Sequence, residues 1–165
     1  MSALLLPAAA QAQWEVEADP IAFGLSGYSA HLGLRFGAFR VDVGAFGARI
    51  PEWVHGNEGW TSKTNGVGAK LDYVGSGNGL FAGVEGDCGR TTRTFTSAVM
   101  SVTRDDCAAG GRLGYRLVLG HTRLYIAPWL GVDYTFGAIG ATAAGHTFDE
   151  KRVQLFPTVH IGWRF

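Results

Sequence analysis

The segment Val153-Gln154-Leu155-Phe156-Pro157-Thr158-Val159-His160-Ile161-Gly162-Trp163-Arg164-Phe165 decides the fold. Val153, Leu155, Pro157, Val159, Ile161, Trp163 and Phe165 form one apolar set. Gln154, Phe156, Thr158, His160, Gly162 and Arg164 form a second set that is mostly polar or small. Successive side chains of a strand point to opposite faces, so this is a strand with one greasy side. A helix would scatter both sets around its axis. The segment is longer than the roughly 9–11 tilted residues that carry a strand across a bilayer.

The same alternation recurs upstream. Leu124, Ile126, Pro128, Leu130, Val132, Tyr134 and Phe136 alternate with Tyr125, Ala127, Trp129, Gly131, Asp133 and Thr135. Leu113, Tyr115 and Leu117 alternate with Arg112, Gly114 and Arg116; Val67, Ala69, Leu71 and Tyr73 alternate with Gly68, Lys70 and Asp72. Tyr28, Ala30, Leu32, Leu34 and Phe36 alternate with Ser29, His31, Gly33 and Arg35. Leu80, Ala82 and Val84 face away from Glu85 and Asp87, and Phe39, Val41 and Val43 face away from Arg40 and Asp42. No helical periodicity of comparable length competes, so the chain is all-β.

Bulk composition narrows the class. Of 165 residues, 47% are hydrophobic and only 17% charged, low for a soluble protein. Formal net charge is zero, with both signs mixed along the chain, which gives no footprint for nucleic acid. No apolar run reaches the roughly 20 residues of a membrane-spanning helix, so a membrane location requires a closed barrel.

Connections alternate in length. Short ones fall at Gly37-Ala38, Gly75–Gly79 and Gly120–Thr122; long ones cover Pro51–Ser62, Thr94–Asp105 and Ala138–Glu150. Tight turns at one end and long loops at the other are the plan of an outer-membrane barrel, with turns and termini periplasmic and loops extracellular. The expected fold is a closed antiparallel transmembrane barrel of eight strands, an up-and-down meander. The first strand admits two readings. The favoured one carries it from Trp14 to Phe23, with Gly24–Gly27 as a tight outer turn. The other ends it at Ala18, with Asp19 capping a helical turn begun by Pro20.

Closing the sheet sorts the side chains. Phe36, Phe39, Tyr73, Trp163 and Phe165 fall on the outer face near the short turns, and Tyr28, Tyr134 and Phe136 near the other rim, two girdles at membrane–water interfaces. The inward set is polar: Arg35, Arg40, Lys70, Arg112, Arg116 and Arg164 against Asp42, Asp72, Glu85, Asp87 and Asp133, joined by His31 and His160, with Glu15 and Glu17 on the same face. A soluble lipocalin-like ligand carrier would need the opposite sorting. Eight strands enclose just enough space for side chains to fill, so these charges are expected to pair as a plug. With Arg35, Arg112, Arg116, Trp129 and Phe156 inside, no through-pore remains.

Cys88 and Cys107 lie on the two arms of the hairpin whose tip falls near Ser97-Ala98, and are expected to form a disulfide stapling the upper ends of its strands. Export is consistent with this. Ala3–Ala10 reads as the end of a signal-peptide apolar region and Ala10-Gln11-Ala12 as a cleavage site. Residues 1–12 are thus expected to be a signal-peptide remnant and 13–165 the barrel.

With Val159-His160-Ile161-Gly162-Trp163-Arg164-Phe165 in view, the chain resembles the small OmpA/OmpX-type barrels of bacterial outer membranes over residues 13–165. The resemblance implies an outer-membrane location, a monomer in contact with outer-membrane lipid, and a C-terminal strand recognised by the barrel-assembly machinery. It implies no cofactor and no activity. A structural or surface-interaction role is expected, carried by loops bearing Trp53, Trp60 and Phe148. The enzymatic alternative is a lipid hydrolase or acyltransferase at the outer rim, drawing on His55, Glu58 and Ser62 in one loop and His146, Asp149 and Glu150 in another. Nothing in their spacing demands it, and no metal site is expected.

Overall fold

The computed structural model describes residues 12–165. The signal-peptide expectation lies, but for Ala12, outside the described residues. The elements are β1 (Gln13–Ala18), α1 (Pro20–Gly24), β2 (Tyr28–Phe36), β3 (Phe39–Ile50), α2 (Glu52–His55), β4 (Trp60–Tyr73), β5 (Gly79–Phe95), β6 (Met100–Val118), β7 (Leu124–Phe136), β8 (Ala141–Ala143), β9 (His146–Phe148) and β10 (Val153–Arg164). Strands β1 to β7 pair in chain order, and β10 joins β7 to β1, closing a ring of eight. β8 and β9 form a separate small hairpin in the β7–β10 loop.

Closure gives every strand of the ring two neighbours, although the β1–β10 seam spans only Glu15↔Arg164 to Ala18↔Ile161 and the upper part of β6 pairs β5 alone. At the seam Val16 pairs with Trp163 and Ala18 with Ile161, and the Phe165 N–H donates to the Trp14 carbonyl at 3.0 Å. The registers run without a slip, so the two faces read from sequence persist along whole strands. Side chains of Leu32, Val43, Val67, Leu71, Val84, Leu113, Leu130 and Leu155 stand exposed on the outer face. Glu15, Arg40, Asp42 and Asp72 lie fully buried inside. Short turns join β2–β3, β4–β5 and β6–β7 at one end, called here the turn end; the remaining connections lie at the loop end.

Two expectations about the strands are corrected. β1 does not run to Phe23: it stops at Ala18, and Pro20–Gly24 is helical. Asp19 takes an extended backbone and accepts the Ile21 N–H at 2.7 Å, while Pro20 occupies the first helical turn, where its missing N–H costs nothing. Thr158 of β10 donates to the other Asp19 oxygen at 2.6 Å, so the cap also ties α1 to the seam.

Thr94–Asp105 is not a long loop. β5 and β6 continue pairing to Phe95↔Met100, leaving a turn at Thr96–Val99. The Cys88–Cys107 disulfide therefore sits midway along the hairpin rather than at the strands' upper ends. The hairpin continues past it by seven residues (88 to 95), about 23 Å at 3.3 Å per residue. Thr92–Thr103 and Thr94–Ser101 hydroxyl pairs at 2.9 and 2.8 Å, and Arg90–Asp105 at 2.7 Å, hold this polar extension together. An alternating polar strand lacks the hydrophobic outer face that marks the membrane segments, which is why it reads as loop in sequence.

Asp19→Ala removes both the cap and the Thr158 acceptor. It is expected to lower unfolding stability by about 1–2 kcal/mol in a urea titration of the refolded protein, with the ring itself retained.

Candidate functional site

The interior is organised around Arg40, whose side chain has no exposure. Its Nε donates to Glu15 Oε2 at 2.8 Å, Nη2 to Asp42 Oδ2 at 2.8 Å and Nη1 to Asp72 Oδ2 at 3.3 Å, with Glu17 Oε1 at 3.1 Å from Nη2. One guanidinium thus faces four carboxylates from β1, β3 and β4. Arg116 from β6 grips Glu15 with Nη1 at 2.8 and 3.0 Å and reaches Glu17 at 3.4 Å. Arg112 lies 3.2 Å from Asp72 and 3.5 Å from Glu85. Tyr125 donates to Glu17 at 2.7 Å, and the Nδ1 atoms of His160 and His31 pair with Glu17 at 2.8 Å and Asp42 at 2.9 Å. Lys70 Nζ stands 3.6 Å from Asp42.

Glycine makes room for these long side chains. A Cβ at Gly33 would stand 2.7 Å from the Arg40 guanidinium, and one at Gly162 would overlap the Tyr125 ring. The aromatic faces add to the plug: Arg116 lies over Tyr125 at 4.2 Å, and Arg112 over Trp129 at 4.2 Å.

The other inward residues stand apart from this centre. Arg35 is half-buried at the turn end and donates to the Gly37 and Gly75 carbonyls, both at 3.1 Å, tying two turns rather than meeting a carboxylate. Arg164 is half-buried, its guanidinium 5.8 Å from the Tyr125 ring centre. Asp87 and Asp133 are half-buried toward the loop end, and no ion pair reaches either among the described residues. Phe156 faces inward by register yet is 47% exposed, its ring 5.6 Å from Trp129. The plug is therefore dense in the turn-end half and looser above.

Tyr28, Phe36, Phe39, Tyr73, Tyr134, Phe136, Trp163 and Phe165 are all exposed on the outer face. Phe39 packs edge-on to Tyr73 at 5.5 Å, and Tyr134 to Phe136 at 5.3 Å. Trp14, outside the sequence-derived girdles, is exposed on β1 beside them.

A second cluster closes the loop end, and it corrects the reading of the loop aromatics. Trp60 and Phe148 are not exposed contact residues: they are 2% and 3% exposed. With Phe95, Ala141 and Ala143 they form an apolar core between the inner face of the β4–β5–β6 extension and the β8–β9 hairpin. Arg93 pairs with Glu150 and lies 5.2 Å over Phe148. Asn57 clamps the two loops, accepting the Asp149 N–H at 2.7 Å and donating to the Asp149 carbonyl at 3.0 Å. The contrary signal was the Trp60↔Phe95 register, which needs the extended hairpin to exist.

The candidate catalytic residues are drawn into this cap. His55 Nδ1 accepts the Asn57 N–H at 3.1 Å and its ring packs 4.8 Å from Phe148; burial holds its pKa below the ordinary histidine value. His146 stacks on Phe95 at 4.1 Å. Ser62 is buried on the inner face of β4, while Glu58 and Asp149 are exposed. No hydrogen bond joins Ser62 to either histidine among the described residues, and no group there has metal-holding geometry.

No protein-family model matches the chain, and no curated protein does. Solved structures do. The chain is similar to the N-terminal β-barrel domain of Pseudomonas aeruginosa OprF, with TM-score 0.54, 12% identity, and coverage of 94% of this chain and all of that one. It is similar to a major outer membrane protein of Thermus thermophilus, with TM-score 0.52, 14% identity, 94% of this chain and all of that one covered. Neisserial surface protein A matches with TM-score 0.53, 11% identity, and coverage of 93% and 96%. At these identities the likeness is one of fold: this chain's eight-stranded ring has the architecture of those solved structures.

Arg40→Ala removes the one cation shared by four buried carboxylates, leaving each with its remaining partners, and is expected to cost about 3–5 kcal/mol in urea unfolding. Trp60→Ala should cost a similar amount, about 3–5 kcal/mol, through the cavity it leaves. Trp53→Ala, at a side chain 81% exposed, should stay within about 0.5 kcal/mol of the parent.

Proposed function

We propose that this chain is an integral outer-membrane barrel, plugged by its charge network, that works as a structural and surface-interaction protein. The observation that carries the reading is the inversion of the barrel: aliphatic side chains stand exposed around its wall while Glu15, Arg40, Asp42 and Asp72 are buried within. Water does not tolerate so large a continuous apolar surface, whereas a bilayer requires it and requires a ring without edges. The aromatic residues collected toward the two ends support the same reading. So does the fold likeness to a protein described as a major outer membrane protein.

The loop end is the working surface in this proposal, with turns and termini periplasmic as in barrels of this plan. Its apolar contacts are Trp53 and Val54 on α2 and Val99 and Met100 at the β5–β6 tip, all exposed. The cap beneath them, built on Trp60, Phe95 and Phe148, holds the loops in one arrangement, so these contacts are presented on a fixed scaffold.

The test is heat-modifiability. Refolded in detergent, the protein should migrate differently on a gel before and after boiling and should fractionate with outer membranes. An unshifted, detergent-free soluble protein would overturn the proposal.

A further inference from the structure

Four neighbouring strands break the pattern of the outer face. At the level of the disulfide, the outward rung reads Ala45 on β3, Val67 on β4, Cys88 on β5 and Cys107 on β6, in unbroken register. On the β7 side Phe136 pairs with Cys107; on the β2 side Ala30 pairs with Ala45, and Tyr28 stands one rung up, opposite Gly47. The rung below is also small, with Val43, Ala69, Gly86 and Ala109. Small side chains on both rungs leave an open, apolar trough of about 700 Å³ in the wall, whose sides include Val43, Val67 and the disulfide.

Charge gathers at its upper end. Two rungs above Ala45 and Val67, Arg49 and Lys63 face each other directly across β3 and β4, both exposed on the outer face. Like charges directly opposite in an antiparallel pair repel. Nearby Arg90 is already taken by Asp105, at 2.7 and 3.0 Å. Among the described residues no carboxylate forms an ion pair with Arg49 or Lys63. The pair lies four residues from the trough, about 13 Å along the strand. At a tilt near 45° that is about 9 Å of depth, comparable with a headgroup layer.

We propose that the outer face of β3–β6 binds one anionic, phosphate-bearing lipid, with acyl chains in the trough and the phosphate between Arg49 and Lys63. The proposal rests on the membrane reading above. Charge complementarity selects the occupant: a phosphate relieves the Arg49–Lys63 repulsion, and flexible chains fill a shallow trough lined mainly by small and apolar residues, Asp87 bordering it but belonging by register to the inward set. A second copy of the chain would bring its own Arg49 and Lys63 to the contact if it docked through the same face.

The test is native mass spectrometry of the full chain, released from mixed micelles carrying equal phosphatidylglycerol and phosphatidylcholine. The wild type should retain one phosphatidylglycerol in preference to phosphatidylcholine. Arg49→Gln and Lys63→Gln should each weaken retention about fivefold and the double variant about thirtyfold. Ala45→Phe, which fills the trough, should weaken it as well, and Arg123→Gln at the turn end should leave it unchanged. Equal retention of the two lipids, undiminished retention in the charge variants, equal competition by glycerol phosphate without chains, or a dimer mass would each overturn the site. Folding is scored by the heat shift, and the single variants decide if the double does not fold. A wild type that shifts but shows no lipid preference sinks only this site; one that never shifts sinks the membrane reading itself.

Discussion

A guanidinium with no access to water must be neutralised where it stands, and Arg40 is such a group. Its four carboxylate neighbours come from β1, β3 and β4, and Glu15 is shared with Arg116 of β6. The pairing therefore spans the barrel from one wall to the other. It also disciplines the seam: Glu15 and Glu17 enter the network only if β1 sits between β2 and β10 in the observed register. A slip of one residue would turn both carboxylates outward and leave Arg40 and Arg116 short of partners.

The same constraint explains the glycines, and it confines apolar packing inside the ring to one small cluster of Val74, Phe81, Tyr125, Ala127 and Trp129, with Val118 against it. Long side chains packed in a narrow ring need space on the neighbouring strand, and Gly33 beside Arg40 and Gly162 beside Tyr125 supply it. The remaining hydrophobic residues stand on the outer wall, where they meet lipid in the proposed setting, or in the small core at the loop end. The chain thus combines an ionic network with two buried apolar clusters. The network and the Phe81–Tyr125–Trp129 cluster share the ring, with Arg112 and Arg116 lying on those aromatic faces, and the core around Trp60 joins the loops.

Where sequence and structure part, tertiary partners outweigh local pattern. Trp14–Ala18 alternates, but Asp19-Pro20 satisfies its backbone better as a helix cap, and Thr158 on a strand 139 residues away completes the choice. His55 and His146 resemble loop candidates for chemistry until Phe148 and Phe95 occupy their ring faces. The β5–β6 extension lacks an apolar face, so period-two hydrophobicity could not reveal it; only hydroxyl ladders and the Arg90–Asp105 pair mark it as sheet.

The sequence by itself determined the strand class, the meander, the sorting of faces and the pairing of the two cysteines. Each follows from a period of two, from turn chemistry, or from residues on the arms of one hairpin, all of which are local. Only the tertiary structure decided that Arg40 is the hub, that Arg35 serves the turns instead, that Trp60 and Phe148 are buried, and that Arg49 meets Lys63. Those outcomes depend on which strands face one another across the ring or lie beside one another in register. That relation is settled by closure, because a single strand carries the direction of its side chains but not the identity of what they meet.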